Sequence, residues 1–157
     1  MNLLFVCTGN TCRSPAAEAI ARKAASARGL DGFETASAGT FAFPGQPAAA
    51  TSIEVAADRG IDLTGHRSRE IGLELVEWAD LVIAMTASHA RGVEEVVPGT
   101  KVTLLNELLP EGHPRHGRDL SDPFGGDRET YEATYRDIEE ALDAFFDTLP
   151  GGSADSP

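Results

Sequence analysis

The chain has 157 residues, 41% hydrophobic and 24% charged, an ordinary globular composition and a length that suits one domain burying roughly 70% of its unfolded surface. A formal net charge of −12 argues against nucleic acid or anionic membrane as partners, since both require a basic surface that releases counterions. No apolar run approaches the roughly 20 residues of a membrane helix, and MNLLFVCTGN lacks the basic n-region and long apolar core of a signal peptide, so a soluble, cytoplasmic protein is expected.

In chain order, Leu3–Val6 reads as a short apolar strand, and Ser14–Arg28 as an alanine-rich helix able to lie close to a sheet. Phe33–Ala38 is a second strand; Pro47–Arg59 is a second helix, ended by Gly60 as a natural C′ residue. Arg69–Trp78 has a helical pattern, Asp80–Met85 is the most apolar strand, Ala87–Val97 is a helix closed by Pro98-Gly99, and Val102–Leu105 is a fourth strand. Tyr131, Tyr135, Ile138, Leu142, Phe145 and Leu149 form one apolar face of a last helix, which is core and not a cofactor box. Apolar strands alternating with helices predict a parallel sheet covered on both faces, with ligands bound beyond the carboxyl ends of the strands. One domain is expected over 1–149, with 150–157 as a flexible tail.

The chemistry concentrates in FVCTGNTCRSP, residues 5–15. Cys7 follows the first strand directly, and Thr8, Gly9, Asn10, Thr11 and Cys12 must wrap around something small, with Gly9 and Asn10 suited to left-handed backbone. Ser14 is a good N-cap and Pro15 suits the first helical position, so the loop opens into a helix whose positive end faces the same point. The capping box is incomplete, because Ala17 holds the third helical position and Glu18 comes one residue late. Such a loop is an anion cradle: Cys7 would serve as thiolate nucleophile, Arg13 as bidentate clamp on two phosphate oxygens, and Ser14 as a donor to the sulfur. With two cysteines five apart, a disulfide framework is a poor reading and reduced thiols are expected. In an acidic chain whose lysines are only Lys23 and Lys101, a phosphate site must be electropositive locally, through backbone N–H groups and arginine. Among acids, Asp119, Asp122 and Asp127 compete for the role of proton donor. His113 and His116, in HPRH, lack a nearby second ligand pair, so a solvated loop is the reading and no metal is expected.

The run VCTGNTCRSP resembles the low-molecular-weight protein phosphatases, whose signature is Cys, five residues, Arg, Ser at the end of the first strand. Ser37–Gly39 (SAG), Gly65–Ile71 (GHRSREI), Ala79–Met85 (ADLVIAM) and Asp122–Asp127 (DPFGGD) are similar to further landmarks in the same order, so the resemblance covers most of the chain. It implies a flavodoxin-like three-layer α/β fold with a four-stranded parallel sheet of order 2-1-3-4. It further implies catalysis through a phosphocysteine, with Asp122 as the acid and then the base, and without cofactor. Asn10, Ser37 and His66 are implied as the network that holds the loop rigid, with phosphorylated proteins as substrates of a monomeric enzyme.

Four readings of the chemistry compete. A thioredoxin-coupled arsenate reductase needs a further cysteine pair that this chain lacks. A cysteine phosphocarrier has no need of Arg13 plus Asp122 to finish hydrolysis, and a sensing module without turnover is at odds with a complete set of nucleophile, clamp and acid. Between phosphotyrosine and phosphoarginine, Thr11 stands where the tyrosine enzymes usually carry Ile or Leu. Thr86 stands where they tend to carry Asp, and only Phe124 remains of the aromatics after Asp-Pro. These features resemble bacterial protein-arginine phosphatases, with Thr11, Phe124 and Phe41 expected to set selectivity and phosphotyrosine as the alternative. Cys12 is expected to trap an oxidised Cys7 as a disulfide.

Overall fold

The protein is described by a computed structural model covering residues 1–151; of the expected tail, 152–157 lie outside the described residues. Four strands, β1 (Asn2–Cys7), β2 (Glu34–Gly39), β3 (Leu81–Ala84) and β4 (Val102–Leu104), form one parallel sheet in the order β2-β1-β3-β4. Five helices connect and cover them: α1 (Arg13–Ala27), α2 (Ala50–Asp58), α3 (Leu73–Trp78), α4 (Ala87–Val96) and α5 (Arg128–Asp147). This is the flavodoxin-like fold.

Alternation along β1 divides the core. Leu3, Phe5 and Cys7 point to one face, where they join buried residues of α1, α2 and α5, while Leu4 and Val6 meet Val76 of α3 and Val93 of α4 on the other. Because β1 pairs with β2 on one side and β3 on the other, every residue of Leu3–Val6 is fully buried. Its near-continuous apolar character follows from that double covering. The small side chains Ala16, Ala17 and Ala21 let α1 lie close under the sheet. Gly60, at φ +73°, terminates α2 in the left-handed conformation that a C′ residue takes.

Three expectations need correction. Helix α1 is capped at Cys12, and Ser14 lies buried inside the first turn, because its hydroxyl is engaged by Asn10 and Cys7. Helix α2 starts at Ala50 and not at Pro47. Arg69–Ile71 is extended where a helix is expected: the Gly39 N–H donates to Arg69 O and the Ile71 N–H to Gly39 O, so these residues prolong the sheet edge and α3 begins only at Leu73. The face expected of α5 is core: Tyr131, Tyr135, Ile138 and Leu142 are buried, Phe145 and Leu149 are partly buried against the same cluster, and Phe146 adds a fully buried ring. At about 100° per residue, Phe146 lies about 40° from Leu142 around the helix and Phe145 about 60° from it on the other side, so both rings turn inward. There Phe146 packs edge-on against Phe33, with ring centroids 5.3 Å apart.

Candidate active site

The turn from β1 into α1 is held from inside by Asn10. Its φ of +56° is the left-handed conformation that Asn tolerates better than most residues, and its side chain is fully buried. Nδ2 donates to Ser14 Oγ at 2.8 Å and to Ser37 Oγ at 2.9 Å; Oδ1 accepts from the Arg69 N–H at 3.0 Å. The Asn10 carbonyl accepts from His66 Nε2 at 2.7 Å. Asn10, Ser14, Ser37 and His66 are thus brought together, and Arg69, whose Nε also donates to Ser37 O, joins them.

The loop's carbonyls are turned away from its centre. Those of Cys7, Thr8, Thr11 and Cys12 accept from the N–H groups of Thr40, Phe41, Ala49 and Ala16. Among the described residues, no N–H of Gly9, Asn10, Thr11 or Cys12 donates to another protein group. Four free donors beside the N-terminus of a 15-residue helix make an anion site by backbone alone. Cys7 Sγ lies 2.9 Å from Ser14 Oγ, which also accepts from Asn10; a Cys7 thiolate at that distance takes the Ser14 hydroxyl proton as a hydrogen bond.

Arg13 is buried, and its guanidinium is aimed by two contacts from the 119–126 loop: NH1 donates to Leu120 O at 2.9 Å, and NH2 lies 3.5 Å from Asp122 Oδ2. The Leu120 N–H in turn donates to Met85 O, which ties that loop to the end of β3. The three competing aspartates separate by what they hold. Asp119 accepts from the Ala87 N–H at 2.8 Å, and Asp127 caps α5 through the Thr130 N–H and hydroxyl. Asp122 alone of the three lines the cleft, more than half exposed, and accepts from the Phe124 N–H. That cleft, about 270 Å³, is walled by Cys7, Thr8, Gly9, Thr11, Cys12, Arg13, Asp122 and Phe124. Both cysteines are free thiols. Burial pushes the Cys12 thiol up, against opposing hydrogen bonds from Tyr131 (3.4 Å) and Thr11 (3.8 Å).

Phe41 is not part of that wall. Its N–H is pinned to Thr8 O, and its ring turns out to solvent from the loop after β2. His113 and His116 hold protein groups: His113 Nε2 lies 2.6 Å from Glu140 Oε1, and His116 Nδ1 donates to Leu109 O. One residue escaped the sequence reading altogether. His89 is buried at the start of α4, with Nε2 2.8 Å from Thr8 Oγ1 and Nδ1 3.0 Å from Thr86 Oγ1, the N-cap oxygen that also accepts the His89 N–H. The spacing of Thr86 and His89, an N-cap and the third residue of its helix, was the available signal, but the contact with Thr8 spans 81 positions.

A thiol at the end of the central strand, an anion-binding loop opening into a helix, and a buried arginine beside a cleft carboxylate define a cysteine-dependent phosphatase. The family model for low molecular weight phosphotyrosine protein phosphatase matches residues 2–152, and the chain belongs to that family. It is 37% identical to a protein-arginine-phosphatase of Geobacillus stearothermophilus, over 94% of this chain and 95% of the relative. The corresponding protein of Bacillus subtilis is 40% identical, over 90% and 92%. The low molecular weight protein-tyrosine-phosphatase Etp of Escherichia coli is 33% identical, over 89% and 88%. Among solved structures, a low molecular weight protein tyrosine phosphatase from T. tengcongensis superposes with a TM-score of 0.87 at 38% identity, covering 95% of this chain and 99% of that one. A mutant of the YwlE arginine phosphatase with a phosphorylated active-site serine superposes with a TM-score of 0.82 at 39% identity, covering 90% and 91%.

Two expected outcomes follow from this geometry. A Cβ at Gly39 would collide with Thr8 O and lie 3.1 Å from Asn10 N, so Gly39→Ala must displace the loop. An error of about 1 Å in such a site costs on the order of 10²-fold, and steady-state hydrolysis of an aryl phosphate by Gly39→Ala should fall by that factor while the circular dichroism spectrum stays native.

The second concerns His89, whose basicity is lowered to about 4, first by burial and then by the nearby charge of Arg13. The unfolded chain takes up this proton near pH 6.5 and the folded chain only near 4, so stability contributed at neutral pH is lost as pH falls between those values. Urea unfolding of His89→Gln should show a shallower loss across that window than the parent. An identical slope would mean that the ring titrates freely in the folded protein.

Proposed function

We propose that the protein hydrolyses phosphoarginine on proteins. The observation that carries this reading is the wall of the cleft: two threonines, Thr8 and Thr11, line it, and among the described residues Phe124 is the only aromatic that does. A phenyl ring would find one stacking face there, whereas a guanidinium finds oxygen acceptors. Two of the relatives described above carry the name of protein-arginine phosphatases, which supports the same substrate.

In this reading the phosphoryl group sits in the loop with its oxygens on the free N–H groups and Arg13, which stabilise the charge spread over them during transfer. Cys7 sulfur attacks phosphorus as the P–N bond breaks, and Asp122 gives its proton to the departing guanidine nitrogen. Water then attacks the phosphocysteine, the ionised Asp122 takes its proton, and the S–P bond breaks to release phosphate and the thiolate. Ser14, whose proton faces Cys7, stabilises the sulfur as it leaves. The phosphorylated serine in the YwlE mutant supports a covalent phosphoenzyme in this family. No described helix is long and apolar enough to cross a membrane; a cytoplasmic, monomeric enzyme acting on phosphorylated proteins fits the acidic composition.

Turnover of a phosphoarginine protein beside a phosphotyrosine peptide on one preparation decides the substrate, with the arginine substrate expected to give the larger kcat/KM. Cys7→Ser should abolish turnover yet retain phosphate binding, and Asp122→Ala should slow turnover by roughly 10²–10⁴-fold; full activity in Cys7→Ser sinks the mechanism.

Thr11 offers a hydroxyl to a planar polar group that would lose hydration against the hydrocarbon of an Ile, a difference of about 1 kcal/mol. Thr11→Ile is therefore expected to lower kcat/KM for phosphoarginine and to raise or preserve it for phosphotyrosine. Parallel loss on both would assign Thr11 to loop support alone.

Cys12, protonated and next to the loop, is read as the resolving thiol for an oxidised Cys7. Peroxide inactivation should reverse with dithiothreitol in the parent and remain largely irreversible in Cys12→Ser; equal recovery in both removes that role.

A further inference from the structure

Thr8 enters the reading above only as part of the cleft wall, and its link to His89 is unused there. Thr8 is exposed at the mouth of the cleft, one residue beyond the buried Cys7, and its hydroxyl is held by a buried imidazole that reaches it from α4. That ring is itself fixed at its other nitrogen by Thr86, the N-cap of α4, so neither the ring nor the Thr8 hydroxyl is free to rotate. The Ala87 N–H, in the same first turn, is bound by Asp119, the residue immediately before the Leu120 carbonyl that aims Arg13. One helix start therefore holds the mouth of the phosphate loop and the loop that carries Asp122.

The proton count limits what Thr8 can offer. A hydroxyl oxygen has one proton and two lone pairs. If Nε2–H donates to Thr8, one lone pair is spent and one remains; if Thr8 donates to Nε2, both remain. Under either tautomer of the neutral ring, Thr8 Oγ1 keeps a lone pair for a ligand at the mouth. A doubly protonated ring would attract the oxygen's lone pair permanently and place a positive charge beside the entry of a cationic group, and burial together with Arg13 keeps the ring from that state at neutral pH.

We propose that Thr8 is a specificity-determining residue whose oxygen accepts an N–H of the substrate guanidinium, and that His89 is a positioning residue acting through it. This rests on the phosphoarginine reading. The phosphoryl group anchored on Cys7 brings the attached guanidinium past Thr8, and its N–H groups, stripped of water, need acceptors there. A phenyl ring has no such donors and gains nothing from an oxygen held in place. The selectivity of the cleft thus includes a hydroxyl whose orientation is set by a residue that touches no substrate.

The test is a ratio: kcat/KM for a phosphoarginine peptide divided by that for 4-nitrophenyl phosphate, measured on the parent, Thr8→Val, Thr8→Ser, His89→Phe, His89→Gln and the Thr8→Val/His89→Phe double variant. Loss of a hydrogen bond to a charged group should lower the ratio roughly tenfold in Thr8→Val, while Thr8→Ser retains it. His89→Phe should lower the ratio similarly, His89→Gln, which can still bond the hydroxyl, should restore most of it, and the double variant should fall no further than Thr8→Val. A residue needed only for folding would depress both substrates together and leave the ratio in place. Should His89→Phe fail to fold, Thr8→Val decides alone, since an exposed Thr tolerates Val. A parental ratio in Thr8→Val, or an additional fall in the double variant, overturns the proposal while leaving phosphoarginine hydrolysis intact. A parent enzyme that cleaves 4-nitrophenyl phosphate and not phosphoarginine overturns the substrate reading itself, and this proposal with it.

Discussion

A single buried amide holds the site in shape. Asn10 takes a backbone conformation unfavourable for most side chains and, from that position, spends both N–H bonds and its oxygen on Ser14, Ser37 and the Arg69 backbone. Each partner comes from a different part of the fold: the first turn of α1, the middle of β2, and the extended segment that prolongs the sheet. The left-handed residue and its hydrogen bonds are mutually dependent, since without the bonds the strain has no compensation, and without the turn the side chain cannot reach. With the loop's carbonyls bound outward, its N–H groups are left to converge, so the electrostatics of the cleft are a by-product of how the loop is anchored.

This explains how a chain of net charge −12 can hold a phosphate. Long-range attraction is absent, so the site relies on short-range donors fixed before the ligand arrives: backbone amides, a helix terminus and one buried guanidinium. Arg13 is aimed by Leu120 O and Asp122, and the backbone of that loop is tied to β3, so the acid and the clamp are positioned by the same segment. Fixed dipoles of this kind need no reorganisation during transfer, which is where most of their value lies.

Much of this was legible in the sequence, because the chemistry is compressed into eleven consecutive residues whose types each carry a local meaning. Cys7 after an apolar run, Gly9 and Asn10 in the turn, and Arg13 with Ser14 and Pro15 at a helix start are read without knowing the rest of the fold. What escaped was set by contacts between distant parts of the chain. Ser14 has the composition of a cap, but its hydroxyl is claimed by Asn10 and Cys7, so the cap moved to Cys12. Arg69–Ile71 has a helical pattern but pairs with Gly39, a competition that local propensity cannot see. His89 looked like any helical histidine, since Thr8 lies 81 positions away. The buried face of α5 is wider than the stripe read from the sequence and takes in Phe146, which lies about 40° around the helix from Leu142 and packs on Phe33.

The division of the cleft into floor and rim also bears on how such a protein can change. Cys7, Asn10 and Ser14 are buried and linked through the Ser14 hydroxyl, and the buried Arg13 is held by Leu120 O and Asp122, so altering one disturbs others. Thr11 and Phe124 are half-exposed and exposed and anchor no buried polar group, so replacing them carries the small stability cost of surface positions, about 0.5 kcal/mol either way, whereas Thr8, whose hydroxyl bonds the buried His89, costs about 1–3 kcal/mol when that bond is lost. A lineage can therefore wander among phosphorylated side chains by substitutions at the rim, one at a time and without passing through an unfolded intermediate. The reaction, in contrast, is locked: the floor permits one chemistry, and drift is confined to the choice of what is brought to it.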